Sequence, residues 1–192
     1  MQVDFAVELG PDDETLEFPW AAPNNGLRYY NLKRRPEAIG LVEEADRYPE
    51  LKEFLAAVNA PTSLFETAKC DAWGTTEINP EEEIFGAPWK FGCYVDFVFT
   101  NPPGRYSFED HEKLLKAMTD LLKRVPEIPA SAEFLLRRCF FREGEAVREG
   151  FYVTFYLFGY GSEEATARQQ WGIGMRLVGN AIVQLYSRPS SV

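Results

Sequence analysis

Apolar and polar residues alternate over residues 3–9, with Val3, Phe5, Val7 and Leu9 in phase. That is the period of a β-strand with one buried face. Residues 10–35 break the pattern with Pro11, Pro19, Pro23, Asn24, Asn25 and Gly26, yet they also carry Phe18, Trp20, Tyr29 and Tyr30. Breakers mixed with large aromatics predict an irregular but packed wrap. Pro36 and Pro49 each stand where a first helical residue would be, a position that needs no N–H. The second of these predicted short helices carries Leu51, Phe54, Leu55 and Val58 on one stripe and stops at Asn59, before Pro61.

Beyond residue 61 one pattern occurs twice. SLFETAKCDAW, KFGCYVDFVFT and a helical stripe over 108–124 are followed by AEFLLRRCFF, REGFYVTFYLF and a second stripe over 163–186. Gly92-x-Tyr94-Val95-x-Phe97 matches Gly150-x-Tyr152-Val153-x-Phe155, and Phe65 precedes Cys70 by the spacing that separates Phe134 from Cys139. The first helix has Ser107 and Asp110 in capping-box spacing and ends at Pro126, and the second has Glu163 and Glu164 in its first turn. The pattern predicts one α+β domain. It is a two-layer sandwich with an antiparallel sheet built from a duplicated strand-strand-helix unit and helices on one face. An N-terminal segment (1–61) precedes repeat one (62–125) and repeat two (131–187).

Alternation also sorts the sheet faces. Phe91, Cys93, Val95, Phe97 and Phe99, with Phe151, Val153, Phe155 and Leu157, belong beneath the helices. Tyr94, Asp96, Tyr152, Thr154 and Tyr156 fall on the outer face. If Cys70 and Cys139 are equivalent and face the helices, Lys69, Asp71 and Arg138 join that outer set. Aspartate is disfavoured in strands, so Asp96 is expected to pair with Lys69 or Arg138, or to stay open to solvent or a partner.

Thirty acidic against twenty basic side chains give a formal charge of −10. This repels phosphate backbones and anionic membranes, and nucleic acid and membrane are excluded as expected partners. The start MQVDFAVELG has no basic and apolar leader pattern, so a cytoplasmic location is expected, with reduced cysteines at 70, 93 and 139.

Catalytic and cofactor signatures are not found. The single histidine, His111, lies on a helical stripe with Leu at 115, where a His-Glu-x-x-His zinc motif needs its second histidine. GYGS at 159–162 is followed by two glutamates and no lysine, so it reads as a strand-to-helix turn rather than a phosphate loop. Glu81, Glu82 and Glu83 lack the spacing of a calcium loop and read as a solvated loop. No cofactor, metal ligand or catalytic residue is predicted.

What remains is the outer face, with Lys69, Asp71, Tyr94, Asp96, Arg138, Tyr152, Thr154 and Tyr156 as candidate binding residues. One expectation is a non-enzymatic binding protein that recognises another, basic protein, in the manner of acidic immunity or antitoxin-like inhibitors. The alternative is a small-molecule site or enzyme with a cleft at the pseudo-two-fold, where Tyr94 and Tyr152 would meet. A third option is structural oligomerisation through an exposed sheet edge, and the competing reading of the face itself is that the N-terminal wrap, with Trp20, Tyr29 and Tyr30, covers it as ordinary core.

Overall fold

The computed structural model describes residues 1–21 and 29–186. The breakers Pro23, Asn24, Asn25 and Gly26 lie outside the described residues. Six strands form one sheet: β1 (Gln2–Glu8), β2 (Thr15–Phe18), β3 (Phe65–Thr75), β4 (Trp89–Phe99), β5 (Ala130–Glu143) and β6 (Ala146–Gly161). The order is β1-β5-β6-β4-β3, with β2 also on β5. The hairpins β3–β4 and β5–β6 meet through an antiparallel β4–β6 pair, whereas β1 and β2 run parallel to β5 along its far edge. The fold is α+β with a mostly antiparallel sheet, as the pattern predicts.

The short strand β2 falls inside the stretch read as irregular. Its Leu16 and Phe18 are buried, a two-residue alternation too brief to stand out among prolines and acids. The segment opening at Pro36 is a 3-10 helix (Pro36–Leu41), followed by α1 (Glu43–Arg47) and α2 (Pro49–Val58), which is capped at Asn59. After β4 come one turn, α3 (Pro102–Arg105), and α4 (Phe108–Leu122), whose N-cap Ser107 accepts a hydrogen bond from the Asp110 N–H. After β6 comes α5 (Glu164–Tyr186), the last described element.

The helices α2, α4 and α5 bury their stripes against one sheet face. Phe91, Cys93, Val95, Phe97, Phe134, Val153, Phe155 and Leu157 meet Phe54, Leu115, Met118, Trp171, Met175 and Val178 there. Phe155 stacks on Phe134 at 5.1 Å between ring centroids, and Phe91 meets Trp171 edge-on at 4.9 Å. GYGS makes this contact close. A Cβ at Gly159 would sit 2.2 Å from the Trp171 nitrogen and 2.4 Å from the Ala167 carbonyl oxygen, so the start of α5 lies directly on the β6 backbone. Among the described residues, no helix is long and apolar enough to cross a membrane.

The register places Asp96 opposite Thr154. The residue shift that takes Gly92 to Gly150 also takes Asp96 to Thr154, so this pair stands where a local two-fold between the hairpins would pass. β4 and β6 are continuously paired through it, so no gap separates the two hairpins within the sheet.

Candidate functional site

The outer face is covered at both ends and open in the middle. At one end Leu16 and Phe18 pack on Val98, Cys139, Phe141 and Tyr152. The wrap then crosses to β3, where the Trp20 indole N–H donates to the Ala68 carbonyl at 2.7 Å and the Tyr29 hydroxyl donates to Glu66 at 2.9 Å. At the other end the 3-10 turn Pro80–Phe85 folds back over the face. Phe85 stacks on Tyr160 at 4.0 Å, and Glu82 accepts hydrogen bonds from Lys90 and Tyr160, each at 2.7 Å. Glu82 is therefore a bonded clasp rather than a solvated loop acid, and its carboxyl is held below the usual range: burial works against that, but its bonds from Lys90, Asn79 and Tyr160 outweigh it. No group of three or more His, Cys, Asp or Glu side chains able to hold a metal is found among the described residues.

Between these covers runs an aromatic floor. Tyr94 lies 6.1 Å from Tyr156, Tyr156 stacks parallel to Phe158 at 6.3 Å, and Phe158 meets Trp73 edge-on at 6.2 Å. All four are half-buried. Beside the floor sits the polar pair of the local two-fold. The Thr154 hydroxyl donates to Asp96 at 2.7 Å, and both residues are buried, Asp96 at 6% exposure. Burial pushes the Asp96 carboxyl up to about 6, partly opposed by the Thr154 hydrogen bond and the Lys69 and Arg137 charges.

Arg137, 8% exposed, closes the polar row. It donates to Glu8 and Glu14 at 2.7 Å each and to Thr154 at 3.3 Å. Glu133, opposite Tyr156, is an exposed acid on the same flank, with its carboxyl pushed up by burial and by its neighbours Glu8 and Asp4.

On the opposite flank a bulge in β3 between Thr67 and Cys70 opens a groove of about 760 Å³. Trp20, Tyr30 and Tyr94 line it with Glu17, Glu43, Glu44 and Asp71, and Lys69 is the single cation in that lining. The Lys69 ammonium lies 5.4 Å from the centre of the Trp20 ring. Cys70 also borders the groove, and burial raises its thiol pKa, the direction opposite to that of activated thiols.

Of the candidate residues, Lys69, Asp71, Tyr94 and Tyr156 border this open region, and Asp96 and Thr154 lie buried beside it. Tyr152 is on the same face but 2% exposed beneath Leu16 and Phe18, so Tyr94 meets Tyr156 across the strands and not Tyr152. Arg138 is a correction. It stands opposite Phe151, on the helix side, and its guanidinium donates to the Gly10 carbonyl. Cys139 correspondingly faces outward into the Leu16–Phe18 cluster, while Cys70 faces the helices opposite Val95. The two cysteines are therefore not equivalent, although all three are free.

The residues missed were Arg137, Glu8, Glu14 and Trp20. Counting inward from Phe134 and Leu136 puts Arg138 inside and Arg137 outside, a signal masked by the adjacent Leu135 and by anchoring the phase on cysteine. No protein-family model matches the chain, and neither does any curated protein or solved structure.

Proposed function

We propose that this is a binding protein for a basic polypeptide, which lies across the open outer face and inserts a cationic side chain into the groove beside the β3 bulge. The observation that carries this reading is the groove's chemistry. Three aromatic rings and four carboxylates line a volume with one lysine, and although Glu17 and Glu43 already pair with the exposed Arg142 and Arg47, Glu44 and Asp71 make no ion pair among the described residues. Ring faces and carboxylates both attract ammonium and guanidinium groups, and a desolvated cation on an aromatic ring gains on the order of 1–2 kcal/mol. The acids on both flanks and the charge of −10 favour encounter with a basic partner.

The test is retention of the partner from the protein's native host. Wild-type protein is expected to hold a basic partner in stoichiometric amount. Asp71→Lys combined with Glu44→Lys, both away from the buried core, should weaken it at least ~10-fold, about 1.4 kcal/mol. Absence of a partner at low and moderate salt, or full retention by the variant, refutes the proposal.

The groove volume supports a second reading, since about 760 Å³ lies in the range of small-molecule sites. In that case the same chemistry selects a compact organic amine, and the charge-reversal variant loses the amine instead of a protein.

A further inference from the structure

A second cavity, of about 390 Å³, lies on the other side of the wrap, between the start of β3, α3 and the end of β5, and its charge is opposite to that of the whole chain. Lys33, Arg34, Arg105 and Arg142 line it with a single carboxylate, Glu66. That carboxylate is already engaged: Oε1 accepts from Arg105 at 2.9 Å, and Oε2 accepts from Tyr29 at 2.9 Å and Asn31 at 3.2 Å. It neutralises Arg105 and leaves the other cations uncompensated by any lining acid.

Each cation is held differently. Lys33 gives its three N–H groups to the Ala60, Ser63 and Phe65 carbonyls, at 2.9, 2.6 and 3.0 Å, so its charge is fixed without a carboxylate in contact. The Arg105 guanidinium is oriented by its Nε hydrogen bond to the Phe99 carbonyl and by the Phe141 ring 5.0 Å away. Arg142 pairs with Glu17, but both side chains are more than half exposed, the kind of ion pair that contributes little and exchanges readily. The Arg34 side chain is exposed and makes no ion pair among the described residues. With Arg142 set against Glu17 and Arg105 against Glu66, a surplus of two positive charges remains, from Lys33 and Arg34.

We infer that this cavity binds a small phosphate monoester. A dianion matches the surplus, and planar guanidinium groups, of which Arg105 is held in place, match oxyanions better than ammonium groups do. The volume exceeds that of phosphate alone and leaves room for an organic group against Phe18 and Tyr29. The acidic surface does not oppose a compact ligand. Charges more than ~8 Å away are screened at physiological salt, whereas a long polyanion would meet many carboxylates at once. This site stands independently of the partner reading, which rests on the other groove.

The experiment titrates wild-type protein with phenyl phosphate, inorganic phosphate and benzoate at constant ionic strength, followed by calorimetry and melting temperature. Phenyl phosphate is expected to bind at submillimolar concentration, at least ~10-fold tighter than benzoate. Inorganic phosphate should compete for the same site. Arg34→Gln should weaken phenyl phosphate at least ~10-fold with an unchanged melting temperature of the free protein, and Arg142→Gln should weaken it as well. Equal affinity for benzoate and phenyl phosphate, no binding up to about 10 mM, or undiminished binding by both variants would overturn the inference.

Discussion

Replacing Asp96 by Asn isolates the electrostatic cost of the buried pair on the outer face. In the fold the carboxyl pKa rises from 3.8 to about 6, with burial as the main cause. A carboxyl raised in the folded state is destabilising when ionised. The cost is absent below about pH 4, where both states hold the proton, and is fully present above about pH 6, where neither does. At ~1.4 kcal/mol per pH unit the ionised carboxylate costs about 3 kcal/mol at neutral pH. Asparagine keeps an oxygen for the Thr154 hydroxyl but adds an amide N–H₂ in a buried place, which returns roughly 1 to 2 kcal/mol of the gain. Asp96→Asn should therefore stabilise the protein by about 1 to 2 kcal/mol at pH 7, or roughly 2 to 8 °C in melting temperature for a chain of this size. Urea unfolding between pH 4 and 8 checks it, and the gain over wild type should shrink as pH falls through 6 toward 4. At pH 4 the amide cost alone remains and the variant should fall about 1 to 2 kcal/mol below wild type, so a variant whose stability relative to wild type does not rise between pH 4 and 8 would refute the reasoning and show that Lys69 and Arg137 hold the carboxylate.

Two further perturbations have definite outcomes. His111 lies between Phe99 and Phe151, with its Nδ1–H donating to the Ser107 carbonyl at 2.8 Å, and burial lowers its pKa below 6.5. Its contribution is thus present above pH 6.5 and lost as pH falls below it, so His111→Leu should flatten that acid-side slope in pH-dependent unfolding. Gly159→Ala drives a methyl group into the α5 backbone and should cost more than about 2 kcal/mol in urea unfolding, whereas Gly40→Ala, with nothing within 4 Å, should stay within about 0.5 kcal/mol.

Strand and helix identity were legible because their periods are local. The stripe of Leu115, Met118 and Leu122 and the alternation of Phe91, Cys93, Val95 and Phe97 each report burial on one face directly. The parallel placement of β1 and β2 on β5 was not legible, since partner and direction depend on edges that exist only after the hairpins have paired. In β5 the run Phe134-Leu135-Leu136 is buried on both faces, so alternation disappears where the phase had to be fixed. In β3 the bulge between Thr67 and Cys70 resets the parity, so Phe65 and Cys70 both face the helices, whereas Phe134 and Cys139 at the same spacing in unbulged β5 face opposite sides, and the equivalence of the two cysteines fails. The groove arises from that bulge together with Trp20, α1 and the segment before it, elements far apart in sequence, and no single stretch announces it.

The centre of the outer face can be weighed against its end. Two residues beyond Asp96 on the same strand, Val98 faces the same way, is fully buried, and belongs to an apolar cluster with Tyr152, Cys139 and Phe141. Position 96 could carry an apolar side chain on the same scaffold, and Arg137 could likewise be replaced without leaving a hydrogen-bonding requirement in the strand ladder. Instead the chain places Asp96, Thr154 and Arg137 side by side under low exposure, with Glu8 at the end of β1 and Glu14 just before β2 neutralising the arginine. Folding alone does not require this arrangement, and the raised carboxyl pKa marks its cost. Destabilising polar groups of this kind persist where a site needs them. Here they border the aromatic floor at the point where Lys69 and Tyr94 lead into the acidic groove, which sets this electrostatic cost beside the surface proposed to bind.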